Sequence, residues 1–271
     1  MTSNDNKMPK KRDQAPPRVK PPQEGRARPW PLKIYTLGRF SVVRDGKPVP
    51  LSRKGQKKPL DLLRALISYG ARDVSEEKLA EMLWPDADGD AAKVSLKTTL
   101  HRLRGLVGHE PIVVAEGKLT LDAHHCWVDV WALERRLSQL LEAPLAAIAA
   151  GDEQQLLALY HGPFLHDDDL PYALSTRERL RSKFLRAMDH VAQGLCAMRA
   201  CDAALLCFQK GIEVDPLAER FYRGLMECYG CLQRPAEGLE VYEHCRQTLA
   251  RELGVAPSAE TEALAKALRE I

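Results

Sequence analysis

Several features that would assign the chain to common functional classes are missing. It has no apolar run of the roughly 18 residues that a membrane span requires. Its basic, proline-rich start is not followed by the apolar stretch of a secretory signal. It has no GxxxxGK loop followed by Ser or Thr, so we expect no ATP hydrolysis. No nucleophile–base pair lies within a supporting motif. These absences predict a cytoplasmic protein that is not an enzyme, needs no cofactor and contacts no membrane.

Cysteine occurs seven times, an odd number, and six of the seven follow residue 190. In a reducing cytosol such thiols serve as small apolar side chains, so we expect no disulfide framework. Cys228 and Cys231 have CxxC spacing, but a zinc site needs four ligands and a second pair with suitable spacing is absent. A thioredoxin-like site needs a βαβ context. We therefore interpret this pair as helix packing.

Two other clusters carry candidate metal ligands. Residues 124–126 read His-His-Cys, and residues 166–169 read His-Asp-Asp-Asp. Neighbouring side chains point in different directions, which favours a linker for the first cluster. The second suits either a hard cation or a solvated acidic loop, and we favour the loop. The sequence therefore predicts no metal site.

Charge is distributed unevenly, although the net charge is only +3. Residues 1–31 hold eight Lys or Arg against three acidic residues, and residues 32–123 hold sixteen against twelve. Residues 124–271 hold sixteen against twenty-two. A polyanion-binding surface is therefore expected in the N-terminal half.

These three segments are the predicted parts of the chain. The first, residues 1–31, contains seven prolines and almost no large apolar residues, which predicts a disordered basic tail or linker, or a junction to a further domain.

The second segment, residues 32–123, begins with short β-prone runs at 33–37, 40–44 and 49–51. We expect these runs to form a small antiparallel sheet.

Three helices and a hairpin are predicted to follow the sheet. The first helix has Pro59 in its first turn and ends at Gly70. The second begins at Ser75, a good N-cap, and stops before Pro85. The third extends from about residue 90 to 107 and precedes two β-prone runs around the Glu116–Gly117 turn. This order predicts a winged helix-turn-helix domain over residues 32–123.

The third helix has two faces on a helical wheel. Leu96, Leu100, Leu103 and Val107 form an apolar stripe that we expect to pack inward. The opposite face is cationic and able to hydrogen-bond, as a helix in the DNA major groove requires. The base-reading candidates on this face are Val94, Lys97, Thr98, His101 and Arg102. A solvated helix face is the alternative interpretation.

Other basic residues are candidates for phosphate contacts, which fix register without reading sequence. They precede or open the first helix, flank the core stripe of the third, or lie on the wing: Arg53, Lys54, Lys57, Lys58, Lys93, Arg104 and Lys118. The alternative for the first group is a solubilising loop. We expect Trp84 to belong to the core and not to stack on a base.

The C-terminal segment, residues 124–271, is predicted to be nearly all helix. Residues 127–142 form a helix or linker, and Ser175 and Glu178 have the spacing of a capping box that would open a helix. Ala204 and Phe208 recur 34 residues later as Gly238 and Tyr242, the period of a tetratricopeptide (TPR) repeat. The predicted fold class is therefore mainly α with a small β component: a winged helix-turn-helix followed by a TPR-like repeat domain.

Several motifs at fixed order resemble the Streptomyces antibiotic regulatory protein (SARP) class. That class pairs an OmpR-type winged helix with a bacterial transcriptional activator domain. The matching segments are residues 37–40, 83–86, 95–104, 127–131, 162–165 and 252–258, so the resemblance covers about residues 32–270. Two features depart from the pattern: Val94 replaces a usual Asn, and Lys58-Pro59 interrupts the first helix opening.

The resemblance implies an activator that binds direct repeats near promoters, assembles as a homo-oligomer on double-stranded DNA and recruits RNA polymerase. Two alternatives remain. The repeats could form a protein-interaction module with only non-specific DNA affinity, or they could respond to a small ligand or an upstream domain.

Overall fold

The computed structural model describes residues 30–51, 55–168 and 171–271. Within these ranges the chain is mainly helical with two small sheets, as predicted. The helices are α1 Lys57–Ser68, α2 Glu76–Leu83, α3 Gly89–Val107, α4 Asp129–Glu142, α5 Asp152–Leu159, α6 Pro171–Ala197, α7 Cys201–Val214, α8 Glu219–Cys231, α9 Pro235–Leu253 and α10 Ala259–Arg269. The strands are β1 Leu32–Tyr35, β2 Ser41–Arg44, β3 Lys47–Pro48, β4 Val74–Ser75, β5 Ile112–Ala115, β6 Lys118–Leu121 and β7 Cys126–Val128. The predicted tail lies outside the described residues, apart from Trp30 and Pro31.

The first sheet has the strand order β3-β2-β1-β7. The prediction of a strand at 49–51 is wrong. The third strand, β3, begins two residues before that range, at Lys47, and pairs with β2. Asp45 and Gly46 have φ of 50° and 75°, so a two-residue turn sets this register. The Val49 amide still donates to the Val42 carbonyl at 2.8 Å, and Pro50, which has no amide N–H, does not continue the ladder.

β7 lies parallel to β1, with Leu32 opposite Cys126 and Ile34 opposite Val128. Sequence reasoning assigned this segment to a helix or linker, which is correct for α4 but misses the strand. The first sheet therefore takes one strand from beyond residue 124. The division of the chain at that residue stays a prediction.

The helices α1 to α3 pack against one another, and their ends agree with the sequence signals. The Ser75 hydroxyl accepts a hydrogen bond from the Lys78 amide at 3.4 Å, so Ser75 is the N-cap of α2 as predicted. The Asp88 carboxylate accepts from the Gly89 amide at 2.9 Å at the start of α3. The helix ends before Gly108, whose φ is 98°.

A second sheet contains the predicted hairpin. β5 and β6 pair in register from Ile112–Leu121 to Ala115–Lys118, and Glu116 and Gly117 have φ of 50° and 71°. The hairpin prediction is confirmed. β4 adds a third strand, because Val74 pairs with Leu119 and Ser75 with Lys118.

The C-terminal helices stack as successive antiparallel neighbours, and the residues at the 34-residue period are buried. Ala204, Phe208, Gly238 and Tyr242 all lie inside, and Gly224 of α8 lies directly against the Phe208 ring. A side chain at that glycine would collide with the ring, so the small residue permits close helix packing.

The capping-box prediction at Ser175 and Glu178 is wrong. α6 is already helical from Pro171, and Ser175 lies exposed inside it. The same spacing also occurs on helix surfaces, and proline is favoured in a first helical turn because its φ is fixed. No helix in the described ranges has both the length and the apolar character to cross a membrane.

Buried polar contacts join residues 32–123, the first half of the molecule, to residues 124–271, the second half. The Asp129 carboxylate at the start of α4 accepts hydrogen bonds from the amides of Thr36 at 2.8 Å and Leu37 at 2.9 Å, and from the Thr36 hydroxyl at 2.7 Å. The Thr176 hydroxyl of α6 donates to the Ser68 carbonyl of α1 at 3.0 Å. One buried apolar core continues across this junction.

Candidate nucleic-acid interface

α3 has the two faces that its sequence predicts. Leu96, Leu100, Leu103 and Val107 are at most 7% exposed and pack against α1 and α2. The five base-reading candidates all lie on the opposite, exposed side: Val94, Lys97, Thr98, His101 and Arg102. The first and last of them are separated by about 12 Å along the helix axis. The structure thus brings these side chains together on one solvent-facing strip.

The residues of this strip differ in polarity and in size. Val94 is 65% exposed and adds an apolar side chain to the strip. The Thr98 hydroxyl donates to the Val94 carbonyl at 3.1 Å. Its oxygen is therefore engaged within the helix. Gly105 is exposed on the same face, and only open space lies where a side chain would project from it. The strip consequently combines cationic, apolar and unobstructed positions.

Lys57 and Lys118 are exposed phosphate candidates on separate elements. Lys57 opens α1, and Lys118 begins β6 at the tip of the β5–β6 hairpin. Arg53 and Lys54 lie outside the described residues.

The other three phosphate candidates have partners within the protein. The Lys58 ammonium donates to the Leu83 carbonyl at 2.6 Å and lies 5.4 Å from the Trp84 ring centroid. Lys93 is 3.9 Å from the Glu77 carboxylate in an exposed ion pair. Arg104 donates to the Ile112 carbonyl at 2.9 Å. Lys58 and Arg104 therefore hold neighbouring elements together. Trp84 is half-buried against the core, as expected.

The hairpin is fixed relative to α3 by contacts at both ends. Arg104 ties α3 to β5, and the Glu76 amide at the start of α2 donates to the Gly117 carbonyl at 2.9 Å. A separate contact joins the first sheet to α3, because Arg44 of β2 donates to the Leu106 carbonyl at 3.3 Å. Sequence reasoning missed Arg44, since a strand residue gives no local signal of contact with a helix 62 residues away.

A cleft of about 380 Å³ lies beside α1, where the first half meets the acidic loop after Phe164. Its charged lining is mixed: Arg39, Lys57, Arg64, Asp61, His166, Asp167 and Asp168. The Arg64 guanidinium lies 3.0 Å from the Asp61 carboxylate and 4.3 Å from the Phe40 ring centroid. Burial, and next the Asp168 charge, raise the pKa of Asp61, against the opposing effect of Arg64.

The candidate metal ligands at residues 124–126 include two histidines with a hydrogen-bond partner nearby in the chain. His124 and His125 both place Nδ1 within 3.0 Å of the Asp122 carboxylate. These contacts lower the pKa of Asp122, although its burial acts to raise it. Cys126 is buried in β7, and burial raises the pKa of its thiol to about 12. Among the described residues, no group of three or more His, Cys, Asp or Glu side chains is arranged to hold a metal ion.

Known proteins resemble the chain in sequence and in fold. The regulatory protein AfsR of Streptomyces griseus is 30% identical over 256 residues, which cover 90% of this chain and 26% of AfsR. The transcriptional regulatory protein EmbR of Mycobacterium tuberculosis is 25% identical, covering 86% of this chain and 62% of EmbR. A solved structure of EmbR in complex with a low affinity phosphopeptide superposes with a TM-score of 0.66 at 22% identity. It covers 89% of this chain and 65% of that one, and shows a shared fold.

The chain therefore spans about a quarter of AfsR and less than two thirds of EmbR. The family model described as the bacterial transcriptional activator domain matches residues 128–269, from the end of β7 to the end of α10. That match and the two regulators agree with the resemblance to the SARP class that the sequence motifs indicate. The chain belongs to the bacterial transcriptional activator domain family.

Proposed function

We propose that the chain is a sequence-specific DNA-binding regulator of transcription. In this proposal residues 32–123 form a winged helix-turn-helix domain, and α3 is the helix that enters the major groove. Residues 124–271 form a TPR-like domain that transmits the signal. The observation that carries the proposal is the exposed strip of α3, held at a fixed angle to a β-hairpin.

The chemistry of the strip suits base edges. Lys97 and Arg102 are donors for guanine O6 and N7, and His101 offers a ring nitrogen. Val94 and the Thr98 methyl are suited to a thymine methyl group. Because the hairpin is tied to α3 and α2, docking requires little rearrangement of the protein, which lowers the cost of binding.

Phosphate contacts would surround this strip. Lys57 and Lys118 are exposed, and in this proposal they add affinity without sequence preference. Lys93 joins them if its exposed pairing with Glu77 opens, since such a pair contributes little. Lys58 and Arg104 act instead as supports for α2 and the hairpin.

The family supports an activating role. Both AfsR and EmbR are named as regulators, and the matching domain is described as a transcriptional activator. We propose that more than one copy binds direct repeats beside a promoter, with RNA polymerase as the protein partner. No catalytic step is assigned to the chain.

The test begins with selection of tightly bound duplexes from a random-sequence DNA library. Lys97→Ala removes one base-reading donor, and we expect it to weaken binding to the selected duplex by roughly 5- to 150-fold, the range of about 1–3 kcal/mol for one bidentate contact. Lys266→Ala is the matched control, because this lysine is exposed on α10, remote from α3. It removes the same charge and should leave binding nearly unchanged.

Binding to a scrambled duplex completes the test. Base reading requires that Lys97→Ala lose much more affinity for the selected duplex than for the scrambled one. Equal losses on both duplexes would show that Lys97 contacts only phosphate, and would contradict the assignment of α3 as the reading helix.

A protein-interaction module with only non-specific DNA affinity is the second candidate. Several large apolar side chains of the C-terminal half are exposed, including Met198 at 47%, Leu206 at 44% and Leu253 at 56%. Failure of the library to yield any preferred sequence, together with stable capture of RNA polymerase by the chain in the absence of DNA, would favour this candidate.

A further inference from the structure

Four of the seven cysteines meet where α6, α7 and α8 come together. Cys196 lies in the last turn of α6, Cys201 begins α7, and Cys228 and Cys231 lie in the last turn of α8. The Cys196 and Cys228 sulfur atoms are 3.6 Å apart. Cys201 and Cys231 lie close to this pair. Sequence spacing alone did not reveal this arrangement, because 32 residues separate the first pair.

We propose that Cys196 and Cys228 form a reversible oxidation site, in which peroxide converts the two thiols to a disulfide that links α6 to α8. This inference goes beyond the DNA-binding role and does not depend on it. In mesophiles, cytosolic disulfides are usually transient and are catalytic or redox-sensing. A reversible disulfide therefore fits the cytoplasmic location that the sequence predicts.

Geometry and exposure give the two thiols different roles. Cys196 is half-buried and so within reach of a small oxidant, whereas Cys228 is 1% exposed. The hydrogen bond between the two thiols lowers the pKa of Cys196, against the opposing effect of burial, while the same contact and burial raise the pKa of Cys228. Cys196 is therefore the attacking sulfur and Cys228 the resolving one, because the thiolate is the reactive species.

The reaction balances with peroxide as the oxidant. The Cys196 thiolate attacks one oxygen of hydrogen peroxide, the O–O bond breaks, and the products are the Cys196 sulfenic acid and hydroxide, which takes up a proton to give water. The Cys228 sulfur then attacks the sulfenic sulfur, loses its own proton and expels a second water. Two thiols are oxidised and one peroxide is reduced to two waters. Forming the bond shortens the sulfur–sulfur distance from 3.6 Å to about 2.05 Å.

The other buried thiols provide an internal contrast. Burial raises the pKa of Cys126 and Cys207 to about 12 and that of Cys245 to about 11, so all three stay protonated at neutral pH. Each has a relative exposure of 1% or less. These three cysteines should resist peroxide under conditions that oxidise Cys196.

The experiment is peptide mapping of the full chain after hydrogen peroxide treatment and alkylation of the remaining thiols. We expect a peptide pair linked through Cys196 and Cys228, which dithiothreitol separates. Cys228→Ser should abolish the link and leave a Cys196 sulfenic acid that dimedone traps. Cys231→Ser, a change at an exposed neighbour in the same turn, should leave the link intact.

Peptide mapping of the unmodified protein tests the proposed disulfide by itself. The test therefore does not depend on whether a variant folds. Full alkylation of both Cys196 and Cys228 after peroxide treatment would overturn the proposal. Linkage of Cys196 to Cys201 or Cys231 instead, or stoichiometric zinc bound by these thiols in the purified protein, would overturn it as well.

Discussion

At the scale of single residues, one carboxylate connects the sheet of the first half to the helices of the second. Asp129 is 2% exposed, and its two oxygens accept from three backbone amides and one hydroxyl. Its position as the first residue of α4, directly after β7, lets it reach the loop that follows β1. An ionised carboxylate only accepts hydrogen bonds, which matches this ring of donors.

Asp129→Ala should lower the free energy of unfolding by about 3 kcal/mol, because it leaves buried donors at Thr36 and Leu37 without an acceptor. Chemical denaturation measures this loss. Asp86→Ala removes an exposed carboxylate and should change stability by less than about 0.5 kcal/mol. Similar small effects at both positions would mean that the Asp129 contacts do not stabilise the fold.

At the scale of elements, the helices pack closely where glycine faces an aromatic ring. Gly224 of α8 lies against Phe208, and Gly211 of α7 lies against Phe221, so each helix presents a ring to the other's glycine. This reciprocal contact sets how closely α7 and α8 approach. Gly105 of α3 contrasts with both, since nothing lies within 4 Å of the position that a methyl group would take.

Gly224→Ala should therefore destabilise the protein by about 1–3 kcal/mol, the cost of overpacking a filled core. Gly105→Ala is the matched change on an exposed helix and should stabilise folding by about 0.5–1 kcal/mol, since alanine restricts the unfolded chain more than glycine does. Thermal unfolding of the two variants shows directly whether each substitution lowers or raises the stability of the protein. Stabilisation by Gly224→Ala would show that α7 and α8 are less tightly packed than this contact requires.

The attachment of α10 to α8 should depend on pH. Burial acts to raise the pKa of Glu219, but hydrogen bonds from the Ser258 amide, the Thr261 hydroxyl and the Ser258 hydroxyl lower it below the ordinary value of 4.5. A group whose pKa falls on folding adds stability above its unfolded pKa and loses it as pH falls through the folded pKa. Stability should thus decline on acidification below 4.5.

Glu219→Gln should make this acid-side decline shallower, as measured by denaturant midpoints over the acid range. Glu240→Gln, at an exposed position of α9, should follow the unmodified protein. Parallel acid profiles for all three proteins would contradict a stabilising role for the ionised Glu219.

Local signals predicted most elements, and long-range contacts account for the errors. The Ser75 N-cap, the apolar stripe of α3 and the Glu116–Gly117 turn all depend on neighbours in the chain, and each agrees with the structure. β7 was missed because it has three residues and pairs with a strand more than ninety positions earlier. The exposed strip of α3 was predictable from helical periodicity, whereas the internal contacts of Lys58 and Arg104 required tertiary structure.

At the scale of the whole molecule, the two halves share one core and several buried polar contacts. The Arg177 guanidinium of α6 donates to the carbonyls of Phe164 and Asp168, which holds the loop beside the first half. The backbone of Leu37 also forms an isolated bridge with Phe164. These contacts and the bond from the Thr176 hydroxyl to the Ser68 carbonyl join the helical half to the ends of β1 and α1.

This coupling predicts a single cooperative unfolding transition. All four tryptophans lie between residues 30 and 131, two before residue 124 and two in β7 and the first turn of α4. Their fluorescence therefore reports on the first half and its junction with the second, whereas far-UV circular dichroism is dominated by the longer helices of the second. The two signals should give the same midpoint in a denaturant titration. Separate midpoints would mean that the halves unfold independently.

The central claim is that the exposed strip of α3 reads DNA sequence, and salt-titrated competition between selected and scrambled duplexes tests it most directly. Phosphate contacts weaken as salt rises for any duplex, while base contacts persist. We expect the selected duplex to bind at least about 10³-fold more tightly than the scrambled one, with the preference retained at physiological salt. Two duplexes that bind equally, and release together as salt rises, would contradict the claim.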